Sequence, residues 1–248
     1  LVARIIFPLI AQLLRPASNT TRICSASPVN RAFLQRAVAF LSHQGVDQFL
    51  DIGSGMPTAG NVHTIAQQIH PEARIAYVDI DPIAVMHSQA ILHIEQIRNT
   101  VAIQADVRQP QAILNNTEIQ SLLDFTRPIG LLLAAVIHFV PDEEVALNAI
   151  CTLQDALPAG SYMALSYVSS DPFTPEEVAE AEKFYAQTTT PMRFRSSTQI
   201  GDFFAGLDLE PPGLTYASNW RPNRPEDLWH NTPERSTVIV GVGRIPTR

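Results

Sequence analysis

Gln48-Phe49-Leu50-Asp51-Ile52-Gly53-Ser54-Gly55 is the stretch that decides the fold. A short apolar-rich run ends near an acid, and two closely spaced glycines follow. That pattern predicts a buried strand running into a tight turn, where glycine accepts backbone angles that other residues resist. The pattern repeats downstream. Ile75-Ala76-Tyr77-Val78-Asp79 and Val101-Ala102-Ile103-Gln104-Ala105 read as the second and third strands. Val62, Ile65, Ala66 and Ile69 mark a helix after the first strand; Ile83, Met86, Ala90, Ile91, Ile94 and Ile97 mark a longer one after the second. Ile129 to Val136 is continuously apolar, as a central parallel strand buried on both faces would be. Tyr162 to Val168 is a fifth strand, preceded by a helix over Asp142 to Leu157 that stops at Pro158-Ala159-Gly160. Alternating strands and helices give an α/β class. The expected architecture is a doubly wound, Rossmann-like, mostly parallel sheet with helices on both faces.

Outside this core the reading changes character. Upstream, Ser27 is expected to cap a helix with Pro28 at its first position, and Val29, Phe33, Ala37, Phe40 and Leu41 fall on one face before Gly45. A helix around Ile113 and Leu122 is expected to break at Asn115-Asn116. Beyond Val168 the alternation lapses: a helix over Pro175 to Gln187, an irregular stretch to Arg195, then a short helix over Thr198 to Phe204. Leu214 to Ser218 and Thr237 to Val242 read as closing strands. The organisation expected is an arm or docking segment over 1–26 and a single domain over 27–248. Within it, 169–196 is the acceptor lid, being the longest departure from alternation.

Composition removes several functions. The chain has 248 residues, 46% of them hydrophobic, enough for a sizeable core. Its net charge of −7 argues against a sequence-blind grip on nucleic acid, which needs a basic face. Leu1 to Leu14 is apolar but too short to span a bilayer, so no membrane role is expected. Two cysteines outside any CxxC spacing indicate neither a disulfide framework nor zinc, and fit a cytoplasmic protein. The histidines form no metal-binding spacing, and no metal is expected. Charged residues at 17% fall below the roughly 25% of average domains, which leaves room for a homodimer.

Ligands of such sheets lie at the carboxyl ends of the strands. There, Gly53, Ser54 and Gly55 offer a turn that a ligand can approach closely. A dinucleotide fingerprint would place a third glycine where Thr58 stands, beside Pro57. The NAD(P)-dependent oxidoreductase reading is weakened accordingly. Asp51, just before the glycines, would repel a pyrophosphate but suits a ligand carrying an ammonium and a sulfonium, as S-adenosylmethionine (SAM) does. Asp79 ends the second strand and can accept from ribose hydroxyls. Asp81 reads instead as the cap of the helix that starts at Pro82. Asp106, after the third strand, can accept from an adenine amino group. The expected cofactor pocket thus runs over Asp51, Gly53, Ser54, Gly55, Asn61, Asp79, Ile80, Asp106, Val107 and the carbonyl of Ala134 or Ala135.

These residues, with Ala134-Ala135-Val136-Ile137-His138-Phe139-Val140-Pro141, resemble a class I SAM-dependent methyltransferase. More narrowly, Asn30-Arg31-Ala32-Phe33-Leu34, Phe49 to Gly53, Pro57-Thr58-Ala59-Gly60-Asn61-Val62-His63 and Trp220-Arg221-Pro222 resemble the family called S-adenosyl methyltransferase, formerly a domain of unknown function. The resemblance runs from about Asn30 to the end. The Tyr-Asp-Tyr-Leu-Leu-Gly-Gly stretch usual before the Asn-Arg-Ala-Phe helix is missing here. It implies a seven-stranded sheet with the last strand antiparallel, and a reaction that converts SAM to S-adenosylhomocysteine (SAH) by direct displacement onto a small-molecule acceptor. A SAM- or SAH-binding protein without transferase activity is the alternative, supported by the altered start of the chain.

An oxygen or nitrogen acceptor needs its proton removed. His138 follows the fourth strand where the methyl should emerge, and an unperturbed imidazole titrates near neutral pH. The plainer reading is a packed histidine between Ile137 and Phe139. Tyr167, ending the fifth strand, is expected to line the acceptor pocket. His63 reads as a helix-start residue near the cofactor. Arg193 and Arg195 could clamp an acidic substrate, but an exposed charged loop is the simpler expectation.

Overall fold

The computed structural model describes residues 18–56, 60–223 and 231–247, with side chains from Pro28 onward. Leu1 to Leu14 and Pro57-Thr58-Ala59, on which the arm, membrane, dinucleotide and family-motif expectations rest in part, lie outside the described residues.

The five anticipated parallel strands form where the apolar runs placed them. They are β1 (Gln48–Ile52), β2 (Arg74–Asp79), β3 (Thr100–Gln104), β4 (Gly130–Ala134) and β5 (Tyr162–Val168). The last long strand, β8 (Val238–Arg244), lies antiparallel to β5, with Tyr162 opposite Arg244 and Val168 opposite Val238. The sheet order is β3-β2-β1-β4-β5-β8-β6. Strand order reverses between β1 and β4, so the crevice at their carboxyl ends is the switch point where this architecture takes its ligands.

Eight strands are described, not seven. The additional one arises at the sheet edge. β6 (Asp208–Leu209) pairs with Arg244 and Gly243 of β8, and β7 (Thr215–Tyr216) pairs with Val240 and Ile239. Pro211-Pro212-Gly213 lies between them. Proline has no amide to donate to a ladder, so one edge position is divided into two short pieces. Both run antiparallel to β8, which leaves β8 as the one reversed strand among the described residues.

Two apolar layers cover the sheet. Phe49, Tyr77, Leu132, Ala164 and Val240 face one layer, where α1 (Ser18–His43) supplies Val29, Phe33, Ala37 and Leu41. Leu50, Ile52, Leu131, Leu133, Leu165 and Tyr167 face the other. There they meet Ile113 of α4 (Pro110–Leu114), Ile119 of α5 (Thr117–Leu122) and Ile150 of α6 (Glu143–Asp155). The interruption between α4 and α5 falls at Asn115-Asn116 as expected, because Asn116 turns its side chain back to accept from the amides of Glu118 and Ile119 at 2.9 and 3.2 Å.

The start of α1 departs from the sequence reading. Ser27 does not cap it: the helix begins upstream at Ser18, and Pro28 sits inside it. A proline there removes one helical hydrogen bond. Burial of the Val29, Phe33, Ala37 and Leu41 stripe offsets that loss. The remaining helices are α2 (Val62–Ile69), α3 (Pro82–Ile94), α7 (Pro175–Tyr185) and α8 (Ser197–Asp202), with a 3₁₀ turn over Ile137–Phe139. Among the described residues no helix is long and apolar enough to cross a membrane.

Candidate functional site

The glycine turn after β1 is held by the second strand. The amides of Gly53 and Ser54 both donate to the carbonyl of Val78, at 2.8 and 3.2 Å. Gly53 has φ of +74°, and a Cβ added there would lie 2.5 Å from the Val136 side chain. Glycine is thus required twice over, by the left-handed backbone and by the β4 loop lying against it. Gly55, at φ of +64°, has open space where its side chain would be. A ligand can approach its backbone.

The facing loop is strained as well. Ala135 has φ of +58°, an angle that costs a residue with a Cβ about 1–3 kcal/mol. Its amide donates to the Ser166 hydroxyl at 2.8 Å and the Ser166 carbonyl at 3.2 Å, which hold it there. Such strain clusters at ligand-binding turns. Val136 and Ser166, which lock these two loops together, were not legible from the sequence, since neither carries a pattern of its own.

The three acids occupy three different environments. Asp51 is only 4% exposed and lies opposite Tyr77 in the ladder. Burial and then the nearby Asp79 carboxylate push it up to about 7, against the opposing pull of Arg31. It lines a small, partly open cavity with Arg31, Ser54, Gly55, Asn61 and Tyr77. Asp79 uses both oxygens: one accepts from the Gly55 amide at 2.7 Å, the other from the Asp81 amide at 2.9 Å. It therefore ties the glycine turn to the β2–α3 turn. Asp106 gains some upward push from burial, but its hydrogen bonds with Arg108 outweigh this and hold it below the usual carboxylate range. Arg108 reaches both of its oxygens, at 2.5–2.9 Å. Asp81 is the cap it was expected to be, accepting from the Ile83 amide at 2.9 Å.

Ile80, 52% exposed beside Asp79, offers a free apolar surface suited to the flat face of a base. Val107 is buried in the core, so only its backbone is available to a ligand. Asn61 stands at the start of α2 without a side-chain cap bond. His63 is buried in the same helix and its ring pairs with the Tyr77 hydroxyl at 2.8 Å, which makes it a packing residue behind the turn. Together the buried acid, the open glycine backbone and the exposed isoleucine match the charge and shape of a cationic adenosyl ligand.

The β4–β5 side of the crevice differs. His138 lies in the 3₁₀ turn after β4, 2% exposed, with its ring 5.6 Å from Tyr167 and 4.3 Å from Phe139. Its Nδ1 is buried without a hydrogen-bond partner among the described residues. Burial and then the positive charge of Arg195 drive its imidazole down to about 3. The expectation of a group titrating near neutrality is corrected: this imidazole is a neutral base throughout the working range, because charging it would mean burying a second cation beside the first. Tyr167 is buried, and its hydroxyl donates to the Arg193 carbonyl at 2.7 Å and accepts from Arg195. Arg193 fits the exposed-loop reading and pairs with Glu182 at 2.9 Å. Arg195 does not: it is 2% exposed.

The family profile described as S-adenosyl methyltransferase matches residues 11–246. A provisionally assigned methyltransferase from Thermobifida fusca is 33% identical, with a TM-score of 0.83 over 91% of this chain and 83% of its own. A DUF574-family protein from Streptomyces avermitilis is 36% identical, with a TM-score of 0.83 over 91% and 86%. Human N-acetylserotonin methyltransferase, in complex with SAM, shares the fold at 12% identity, with a TM-score of 0.53 over 91% of this chain and 56% of its own. No protein of curated function matches the sequence.

Proposed function

The chain belongs to the S-adenosyl methyltransferase family, whose members use S-adenosyl-L-methionine, and from that premise we propose that it methylates a small-molecule oxygen, nitrogen or carbon nucleophile. The observation that carries the site assignment is the buried Asp51 next to an open glycine backbone, at the point where strand order reverses. When bound, the cofactor supplies an electrophilic methyl on a sulfonium and leaves as neutral SAH.

The chain's own residues have four tasks. Asp51 offers a carboxylate to the ammonium end. Asp79 and Ile80 hold the ribose and the face of the adenine, and Asp106 with the backbone at Val107 holds its edge. The strained turn at Ala134-Ala135 presents a carbonyl toward the reacting centre. His138, neutral, packed against Tyr167 and held at its backbone carbonyl by the Arg193 amide, accepts the proton that an attacking hydroxyl loses or that an ammonium gives up before it attacks. Positioning of nucleophile, methyl and sulfur in line supplies the rest of the acceleration.

We assign residues 27–248 to one working unit, with 169–196 closing over the acceptor and 1–26 as an arm, acting in the cytoplasm. Calorimetry with SAM, SAH and NAD tests the cofactor assignment. Binding of the two adenosyl ligands without NAD is the expected result, and NAD binding alone would overturn it. Formation of SAH in the presence of an acceptor tests the transfer.

A further inference from the structure

Arg195 is a buried cation with neutral partners. One terminal nitrogen donates to the Tyr167 hydroxyl, and the other reaches the carbonyls of Val140 and Pro141, each at the long distance of 3.5 Å. Its Nε makes no hydrogen bond to a described residue. The rings of Tyr167 and Phe203 lie 5.4 Å from its guanidinium carbon. A guanidinium has five N–H groups, and these three contacts leave two without a partner among the described residues. Among the described residues it makes no ion pair. The carboxylates of its own neighbourhood are engaged elsewhere: Glu182 takes Arg193 and the Phe194 amide at 2.9 and 2.8 Å, and Asp171 accepts from the Ser197 amide at 3.1 Å.

Buried charges in folded proteins are otherwise paired, because an isolated one forfeits its hydration. This one shares Tyr167 with the histidine at the switch point, whose Nδ1 also has no partner among the described residues. It stands as well at the base of the 169–196 excursion. Ser169 and Arg195 form a bridge there, and the Ser170 amide donates to the Arg195 carbonyl at 2.9 Å. The arginine is thus fixed to the end of β5, and the stretch before it is tied to the same place, the Arg193 amide donating to the His138 carbonyl at 2.8 Å.

We propose that Arg195 anchors a carboxylate on the methyl acceptor, so that the substrate is a small organic acid whose nucleophile is presented to His138. This inference rests on the methyltransferase reading of the site. The carboxylate supplies the counter-charge that the fold withholds, and two oxygens match the planar fork of a guanidinium. The rings of Tyr167 and Phe203 beside the guanidinium, and of Phe139 beside His138, favour an acid with an apolar body.

The arrangement also sets the base. Arg195 is the second cause, after burial, of the low basicity of His138. The other charged groups near this cluster among the described residues are Asp171, which accepts from the Ser197 amide, and Arg193 and Glu182, which pair with each other; Tyr167 keeps its proton. A bound carboxylate cancels the Arg195 charge and makes the imidazole a better proton acceptor. Burial, the larger cause, still holds the imidazole below its ordinary value when the acid is seated. In the step itself, a lone pair on the acceptor oxygen forms the new bond to the methyl carbon as the carbon–sulfur bond breaks. The sulfur keeps that electron pair, and the oxygen's proton passes to His138.

The test uses the whole chain loaded with SAH and read through the histidine ring resonances. Benzoate and benzamide are the probes, alike in shape and different in charge. Wild type is expected to bind benzoate saturably, with the His138 resonances moving and benzamide at least tenfold weaker. Arg195→Met should abolish the preference while binding SAH within about threefold of wild type, which separates this inference from the cofactor assignment. Arg195→Lys should retain the preference for benzoate more weakly, and serves if the methionine variant does not fold. Loss of benzoate binding in wild type, equal binding of the two probes, or an unchanged preference in Arg195→Met would each overturn the proposal.

Discussion

The two halves of the crevice carry opposite charge. At the ends of β1, β2 and β3 stand Asp51, Asp79 and Asp106; at the ends of β4 and β5 stand His138, Tyr167 and Arg195. Burial shifts a titrating group in each half: Asp51 rises to about 7 and His138 falls to about 3. The direction follows from burial, which favours the neutral form of either group, reinforced by a like-charged neighbour in each case. That contrast is what the two proposals above draw on, a cation over the acidic half and an anion over the basic half.

The largest expected effect breaks the comparison at its basic end. His138→Ala should slow methyl transfer by about 10²–10⁴-fold with little change in SAM affinity, if the imidazole takes the acceptor proton. Single-turnover rates with an acid acceptor measure this. Because His138 is already neutral down to about pH 3, its protonation should not produce an acid limb near neutrality. An acid limb in the free enzyme's kcat/KM should belong to Asp51, whose carboxylate is lost below about pH 7 and with it the grip on the ammonium.

Stability against pH sharpens the same contrast. Asp51 holds its proton more tightly folded than unfolded, so its contribution is present at low pH and is lost as pH rises through about 7. His138 is the reverse: its contribution is present above its unfolded value of 6.5 and is lost as pH falls toward about 3. Between about pH 4 and 6.5 the two slopes oppose and largely cancel. Asp51→Asn should therefore stabilise the free protein by about 2–4 kcal/mol above pH 7, at roughly 1.4 kcal/mol per pKa unit. It should also expose the His138 slope in urea melts across that range. A flat profile in this variant would remove His138 as a buried titrating group.

Asp79→Ala should weaken SAM binding by about 1.5–3 kcal/mol, the scale of hydrogen bonds to a charged group. Unchanged affinity in a folded variant removes Asp79 from the site. The smallest effect separates two glycines that look alike in sequence. Gly55→Ala should lose only about 1 kcal/mol for its left-handed backbone. Gly53→Ala should lose about 1–2 kcal/mol more, because its Cβ meets Val136 at 2.5 Å. Equal melting points for the two variants would show that the β4 loop yields freely.

The acidic half was legible because its information is local. Each acid ends an apolar run, and a strand end is recognisable from a few neighbouring residues. The cap at Asp81 and the break at Asn116 were legible for the same reason: a side chain bonding amides two or three positions on needs no partner from afar. The eighth strand and the early start of α1 were not, since both are decided by packing, one against the edge of β8 and the other by a buried stripe that outweighs Pro28. Arg193 and Arg195, two positions apart in one irregular stretch, are indistinguishable by composition. Only the fold sends one to Glu182 at the surface and the other beneath the bridge to Ser169.

By itself, then, the sequence determined the α/β class, the parallel core strands, the acids at their ends and the family they resemble, because periodicity and strand-end chemistry are written in adjacent residues. The tertiary structure alone decided which groups are buried together: Val136 against Gly53, Ser166 beneath Ala135, and Arg195 beside His138. Those pairs lie tens of residues apart and carry no mutual signal along the chain. Their energies depend on how much water is excluded around them, and that is fixed only when the two apolar layers close on the sheet.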